Sequence, residues 1–176
     1  MKFKNLYYFV IIIYLISSNF SYSIERPDIK NLIVLKDKKK IENIEFINSE
    51  GHKLSLNNYK SNIIIINLWA TWCTPCIKEM PSLNRLKLRK KFKNVEILPI
   101  NIGRETYKKS KSFFESLNIK NLEIYLDETG EIPNKLLVRG IPTTILIDKN
   151  GYEFARIVGY IDFENKIFLD WLNNYL

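Results

Sequence analysis

The sequence predicts an α/β fold with a mixed central β-sheet flanked by helices and an N-terminal β-hairpin extension. Residues 63–68 are continuously apolar apart from Asn67, as expected of a strand buried on both faces. Strand-like and helix-like segments then alternate and end in a hairpin and a last helix, which is the order expected of an α/β sandwich. About 150 residues follow the N-terminal segment, enough for one domain with its own core.

Periodicity places the elements in order along the chain. Residues 24–43 are polar with two lysine runs, and we expect an irregular lead-in there. Segments 45–47 and 53–56 flank a turn and predict the extension hairpin. After the buried strand, the pattern predicts a helix over 74–92, a strand over 95–102, a helix over 106–117, a short strand over 124–127 and a short helix over 132–137. Two strands over 143–147 and 153–158 flank the turn signal Asp-Lys-Asn-Gly, and a helix over 163–176 closes the chain.

The chain has two cysteines, Cys73 and Cys76, and no other thiol can pair with them. A lone CxxC between a buried strand and a helix is typical of a dithiol that cycles between thiol and disulfide. The helix N-terminus favours the Cys73 thiolate, and Pro75 fits a first turn that needs no amide donor. Two other interpretations stay open. One is half of a zinc site, for which the chain adds only His52 as a similar ligand. The other is a structural disulfide, which would close a loop too short to remove much chain entropy.

Residues 1–23 are predicted to be a signal peptide or an N-terminal membrane anchor. Two lysines precede an apolar core over residues 6–16, and small residues suited to signal peptidase end at Ser23. The core is shorter than the roughly twenty residues that span a bilayer, so we expect cleavage after Ser23. Apolar residues further on could instead extend the core into an anchor, and membrane association through residues 6–24 stays open. Either way the remainder is expected in the periplasm or at the outer face of the cytoplasmic membrane, where disulfides persist.

The chain is basic, with a formal net charge of +8 at pH 7. Six basic residues concentrate in one stretch: Arg85, Lys87, Arg89, Lys90, Lys91 and Lys93. Nucleic acid is not expected as a partner of an exported chain, and such a charge run is usually a solvated helix face. An acidic membrane surface or an acidic partner stays open.

Three stretches carry a resemblance to a known family: Asn67-Leu-Trp-Ala-Thr-Trp-Cys-Thr-Pro-Cys76, Glu79-Met-Pro81 and Gly140-Ile-Pro-Thr-Thr144. They resemble the TlpA/ResA-like thioredoxin-fold thiol-disulfide oxidoreductases, which are exported and often membrane-tethered enzymes. The resemblance implies a thioredoxin-like domain over residues 44–176 that needs no cofactor and no metal. It also implies that Pro142 is cis and packs opposite the two sulfurs, and that the Ile141 main chain pairs with a bound substrate strand.

The resemblance also assigns roles to the cysteines and their neighbours. Cys73 would attack a partner disulfide as a thiolate, and Cys76 would resolve the mixed disulfide. Trp72 would add an apolar wall at the substrate side, although a tryptophan at the rim of a core needs no function. Thr74 and Pro75 lie between the cysteines and resemble the Gly-Pro of reducing thioredoxins more than the Pro-His of strong oxidants.

A proton-handling group is expected at Glu79. Thioredoxins carry a buried acid at the position of Asn67, and an asparagine cannot titrate. Glu79 matches an acid of ResA-like members and lies three residues beyond Cys76, on the same helix face. Burial would raise its pKa and suit it to proton transfer with Cys76. The alternative is a surface glutamate that the helix dipole favours.

These features together predict a monomeric reductant of protein disulfides with a potential below about −200 mV, away from the oxidant value of about −120 mV. The family suggests two classes of substrate: the haem-site cysteines of apocytochrome c, and the copper-site cysteines of cytochrome oxidase or of its copper chaperone. It suggests a membrane thiol-disulfide carrier of the DsbD/CcdA type as electron donor. Two alternatives are a peroxiredoxin-like peroxidase, although Ala70 stands where that class carries Thr or Ser, and a copper chaperone that binds Cu(I) through the CxxC.

Overall fold

Eight strands form one mixed sheet in a computed structural model that describes residues 26–59 and 62–176. The strands are β1 (Leu32–Lys40), β2 (Glu45–Ile47), β3 (Lys53–Ser55), β4 (Ile63–Trp69), β5 (Val95–Asn101), β6 (Tyr125–Leu126), β7 (Thr143–Ile147) and β8 (Tyr152–Val158). Their spatial order is β1-β8-β7-β4-β5-β6-β2-β3. The α-helices are α1 (Thr74–Leu88), α2 (Tyr107–Ser116), α3 (Ile132–Lys135) and α4 (Lys166–Asn173), and 3-10 turns cover Leu56–Tyr59 and Lys90–Phe92. The predicted order of elements from the hairpin to the last helix is confirmed.

The central strand β4 positions the dithiol. It pairs in parallel with β5 and antiparallel with β7, and all seven of its residues are buried. Alternate side chains point to opposite faces of the sheet. Ile65 and Trp69 therefore join the core beneath α1, α2 and α4, whereas Ile66 and Leu68 join a second core with Phe46. With a core on each face, the end of β4 is held in place from both sides.

The prediction of an irregular lead-in over residues 24–43 is wrong. Leu32–Lys40 forms β1, which pairs antiparallel with β8 and makes one edge of the sheet. Leu32 is fully buried, while the lysine-rich half of the strand is exposed. Lysines suit an edge strand because they stay solvated and discourage pairing with another chain. The lysine runs thus hid a strand whose apolar part is only four residues long.

Smaller differences concern the ends of helices. The helix predicted over 74–92 ends at Leu88, and a 3-10 turn covers the remainder. The last helix begins at Lys166 and not at residue 163, because the Asn165 side chain accepts hydrogen bonds from the amides of Ile167 and Phe168 at 2.8 and 3.3 Å. Ile167, in the first turn of this helix, is apolar but 49% exposed.

The predictions made for residues 1–23 lie outside the described residues. Within the part of the chain that the structure describes, no helix has the length and apolar character needed to cross a membrane.

Candidate active site

Cys73 and Cys76 form a disulfide where β4 passes into α1. A tight turn connects the two elements, in which the Cys73 amide donates to the carbonyl of Ala70 at 3.2 Å. We call residues 70–73 the dithiol turn. Cys73 is the N-cap of α1, and its sulfur accepts a hydrogen bond from the Cys76 amide at 3.3 Å. This position places the first sulfur against the unpaired amides and the positive end of the helix dipole, which favour a thiolate.

Three of the predicted substrate-side residues adjoin the cysteines in the chain and are exposed. Trp72 is 64% exposed, and Thr74 and Pro75 are also exposed. The Ile141–Pro142 peptide bond is cis. The register of β7 on β4 pairs Thr143 with Leu68, so Pro142 lies beside the end of β4, where the dithiol turn begins. Pro142 is buried and Ile141 is half-buried.

Glu79 lies in the second turn of α1, and none of its surface is exposed. One carboxyl oxygen accepts from the Asn67 side-chain amide at 2.7 Å, and the other accepts from the Ile161 amide at 3.2 Å. Burial raises the pKa of Glu79 to about 7, because these two hydrogen bonds offset only part of the cost of desolvating the charge. The predicted burial of this carboxyl is therefore seen, and a surface position is not.

Asn67 joins three elements within this buried cluster. Its side-chain nitrogen also donates to the Thr144 hydroxyl of β7 at 3.0 Å. Its side-chain oxygen is buried without a hydrogen-bond partner among the described residues. The residue that replaces the buried acid of thioredoxins thus serves here to hold the carboxyl of Glu79.

Sequence reasoning missed a second carboxyl near the disulfide, Glu105, which lies 34 positions after Thr71 and accepts a hydrogen bond from its amide. The signal for it was present, since Asn101 ends a buried strand and Glu105 follows four residues later. Polar side chains at the carboxyl ends of parallel strands meet at one edge of the sheet, where open α/β sheets place their sites.

Residues 26–59 and 62–176 contain no group of side chains arranged as metal ligands. No set of three or more His, Cys, Asp and Glu side chains is arranged there to hold an ion.

Comparison with known proteins identifies the family. A model of the AhpC/TSA family matches residues 38–152. The thiol-disulfide oxidoreductase ResA of Bacillus cereus (strain ATCC 10987 / NRS 248) is 32% identical over 159 residues, which cover 90% of this chain and 91% of the relative. The chain belongs to the ResA-like thiol-disulfide oxidoreductases. It is therefore a thiol-disulfide oxidoreductase, and the predicted family and enzyme class are confirmed.

Solved structures support the fold. The chain is similar to a DsbF homologue from Corynebacterium diphtheriae, with a TM-score of 0.68, 20% identity and coverage of 85% of this chain and 96% of that one. It is also similar to the exposed lipoprotein thioredoxin Etrx1 from Streptococcus pneumoniae, with a TM-score of 0.60, 22% identity and coverage of 77% and 100%. These neighbours confirm the predicted thioredoxin-like fold.

Proposed function

We propose that this chain is an exported reductant of protein disulfides, in which Cys73 attacks the client and Cys76 resolves the mixed disulfide. One observation carries the proposal: the dithiol caps α1, and a buried carboxyl with a pKa of about 7 lies one turn further along the same helix. Such a pair can cycle near neutral pH, because the carboxyl can hold or release a proton in that range.

Cys73 is the better attacking group of the two. Its sulfur lies at the helix N-terminus and the residue is 5% exposed, whereas Cys76 is completely buried. In the reduced enzyme, the Cys73 thiolate attacks one sulfur of a client disulfide. A mixed disulfide forms, and the other client sulfur leaves as a thiolate that takes up a proton.

Cys76 then completes the transfer. Its thiol gives up a proton, and the sulfur attacks Cys73, so that the Cys73–Cys76 disulfide forms and the second client sulfur leaves. Two electrons pass to the client in total. Glu79 is the proposed acceptor of the Cys76 proton, because it lies on the same helix face and its pKa of about 7 leaves much of it able to accept.

Client binding is proposed for the exposed surface around the sulfurs. The Ile141 main chain, next to cis Pro142, would pair with an extended client segment, and main-chain pairing tolerates varied side chains. Trp72, Thr74 and Pro75 would contact the client at the other side of the disulfide, since all three are exposed.

The cellular role follows from the sequence and the family resemblance. The apolar N-terminal segment supports a location in the periplasm or at the outer face of the cytoplasmic membrane. There the dithiol would receive electrons from a membrane carrier of the DsbD/CcdA type and deliver them to the haem-site cysteines of apocytochrome c or to copper-site cysteines of cytochrome oxidase assembly.

Trapping of the client tests the proposal. A Cys76→Ser variant of the full chain is expected to stall as a mixed disulfide through Cys73, and mass spectrometry would identify the protein attached. Cys73→Ser is the matched control and should trap nothing, because the remaining sulfur is buried. Equal trapping by both variants, or by neither, would contradict the assigned roles.

Activity assays separate this function from its alternatives. The reduced chain is expected to reduce insulin, to consume hydrogen peroxide slowly and to bind copper weakly, with a potential below about −200 mV against glutathione. A potential near −120 mV would make the chain an oxidant. Peroxide consumption faster than insulin reduction would favour a peroxidase, and tight Cu(I) binding would favour a chaperone.

A further inference from the structure

The loop between β5 and α2 is built to approach the dithiol turn closely. At Gly103, a Cβ atom would lie 2.7 Å from the Cβ of Ala70 and 3.0 Å from a carboxyl oxygen of Glu105. The first contact is shorter than packed carbon atoms allow and the second is tight, so a larger residue at this position would force the loop or the dithiol turn to shift. The Ile102 amide also donates to the carbonyl of Trp69 at 3.0 Å, which joins the loop to the end of β4.

Arg104, the next residue, has a left-handed backbone with a φ of 56°. This conformation is unfavourable for a residue with a side chain, and it persists only where the surrounding structure enforces it. The reversal at Arg104 lets Glu105 return to the end of the sheet, where it contacts Asn101 and Thr71. A second contact inside the loop supports the same turn, since the Gly103 amide donates to the Asn101 side-chain oxygen at 2.7 Å.

The Glu105 carboxylate accepts hydrogen bonds from four donors. It receives the Thr71 amide at 2.9 Å, the Thr71 hydroxyl, the Asn101 side-chain nitrogen at 2.9 Å and the Lys109 ammonium at 2.5 Å. Its side chain is only 4% exposed. Burial alone would raise its pKa, but the hydrogen bonds from Lys109, Thr71 and Asn101 lower the pKa of Glu105 to about 2. It is therefore a carboxylate at any pH at which the enzyme works.

We propose that Glu105 is a positioning residue for disulfide exchange, which fixes the dithiol turn by binding the Thr71 amide and hydroxyl. Thr71 lies two residues before Cys73, so its position sets where the first sulfur lies relative to the N-terminus of α1. The proposal rests on the proposed role of Cys73 as the attacking cysteine. Glu105 touches neither the sulfurs nor a client, and it acts through the turn alone.

Two possible effects of Glu105 on Cys73 have opposite signs, which makes the proposal testable. A carboxylate acting by its charge would disfavour the Cys73 thiolate, so that removing the charge would move thiol reactivity to lower pH. A carboxylate acting by positioning would favour the thiolate, because a loosened turn lets the sulfur leave the helix N-terminus. Lys109 compensates the charge directly, which leaves positioning as the expected effect.

The test compares the full-length chain, in detergent, with a Glu105→Gln variant. The variant has one acceptor oxygen in place of two, and its amide group meets the donors of Thr71 and Asn101. The Thr71 amide of the oxidised chain is expected to exchange with solvent about tenfold faster, as suits the loss of a hydrogen bond to a charged group. In the reduced chain, the pH midpoint for alkylation of Cys73 is expected to rise, and attack on bis(2-hydroxyethyl) disulfide at pH 7 to slow about tenfold.

Glu131→Gln is the matched control. Glu131 also pairs with a lysine four residues later, Lys135, at 2.8 Å, but this pair lies at α3 and not at the dithiol turn. This variant should change neither Thr71 exchange nor the alkylation midpoint. A Thr71→Val substitution, which removes the hydroxyl but keeps the amide, should raise the alkylation midpoint of Cys73 by a smaller amount than Glu105→Gln does. Added to Glu105→Gln it should cause no further rise, because the hydroxyl and the carboxylate form one interaction. If Glu105→Gln does not fold, the Thr71→Val variant alone decides through the same readouts.

The outcomes separate this proposal from the proposed function. A lower alkylation midpoint in Glu105→Gln, or unchanged exchange and unchanged alkylation, would overturn the positioning role. If the wild-type chain instead shows slow exchange of the Thr71 amide while Cys73 reduces no disulfide, that result would overturn the proposed function and leave the contact of Glu105 with the turn intact.

Discussion

At the scale of single residues, the site rests on two buried carboxyls that are held in different ways. Glu105 accepts hydrogen bonds from the Lys109 ammonium and from three further donors, two on Thr71 and one on Asn101, and it stays ionised. Glu79 meets one side-chain amide and one backbone amide, and its pKa rises to about 7. The difference in partners therefore assigns a fixed charge to one carboxyl and an exchangeable proton to the other.

Asn67 suits a neighbour that changes its protonation. Its nitrogen donates to Glu79 at 2.7 Å, as an ionised carboxyl requires. A half-turn of the amide would place the side-chain oxygen at the same distance, where it would accept from a protonated carboxyl. An aspartate at this position would repel ionised Glu79, so the asparagine and the glutamate form a consistent pair.

The raised pKa of Glu79 predicts how stability depends on pH. Between about pH 4.5 and 7 the folded chain holds a proton that the unfolded chain has lost, so stability falls as pH rises through this range. The contribution of Glu79 to the free energy of unfolding is fully present below pH 4.5. It is lost as pH rises through 7, and the total loss is about 3 kcal/mol at most. Glu79→Gln should remove this slope. Denaturant unfolding of the oxidised chain from pH 4 to 8 measures it without titration of the cysteines.

Glu128→Gln, which changes an exposed carboxyl, serves as the control and should keep the wild-type slope. A Glu79→Gln variant with the wild-type slope would show that Glu79 does not titrate in this range. In the reduced chain, the same substitution should also alter the pH dependence of resolution by Cys76, because the proposed proton acceptor is gone.

Local spacing explains which site residues could be predicted. The CxxC and Glu79 lie within seven positions on one helix start, so their proximity follows from the helix repeat. Pro142 could be placed beside them only through the resemblance to a family, because its proximity depends on the register of β7 on β4. The position of Glu105 after the end of a buried strand indicates the correct edge of the sheet, but its contact with Thr71 depends on a left-handed residue and a close glycine, which no periodicity shows.

At the scale of secondary-structure elements, β1 shows how tertiary pairing can override composition. Lysines are poor strand formers in isolation, but Leu32–Val34 pairs with β8, and after a register shift Lys39 and Lys40 pair with it as well. The exposed half is held by pairs such as Lys38 with Asp148 at 2.8 Å. Lys38 is 51% exposed, so solvent screens its end of this ion pair and the pair contributes little; the apolar end of the strand must supply most of its stability.

Substitutions in neighbouring residues of β1 test this account. Leu32→Ala should cost about 2–5 kcal/mol of unfolding free energy, because the side chain is fully buried in the core beneath α1. Ile33→Ala, at the next position on the opposite face, should cost well under that amount, since Ile33 is 47% exposed. Denaturant unfolding of both variants gives the comparison. Equal and small costs would mean that this segment does not pair as a strand in solution.

At the scale of the whole molecule, the sheet divides the domain into two cores that meet at β4 and β7. The core under α1, α2 and α4 includes Trp69, Phe154 and Trp171, and the opposite core includes Phe46, Leu98 and Ile145. Because β1 covers β8, whose Phe154 and Ile157 belong to the first core, the lead-in segment is part of the folding unit. The domain therefore begins before residue 44, where the resemblance alone had placed it.

This boundary gives a prediction for two truncated chains. A chain of residues 26–176 keeps β1 and should unfold in one cooperative transition. A chain of residues 44–176 loses the partner of β8 and the buried Leu32, and it leaves a long strand edge that can pair with other copies. It should be less stable by several kcal/mol or should aggregate, as measured by denaturant unfolding and by light scattering. Equal unfolding midpoints for two soluble monomers would show that β1 docks onto a domain that is already complete. In that case β8, and not β1, would be the edge strand of the smallest stable domain.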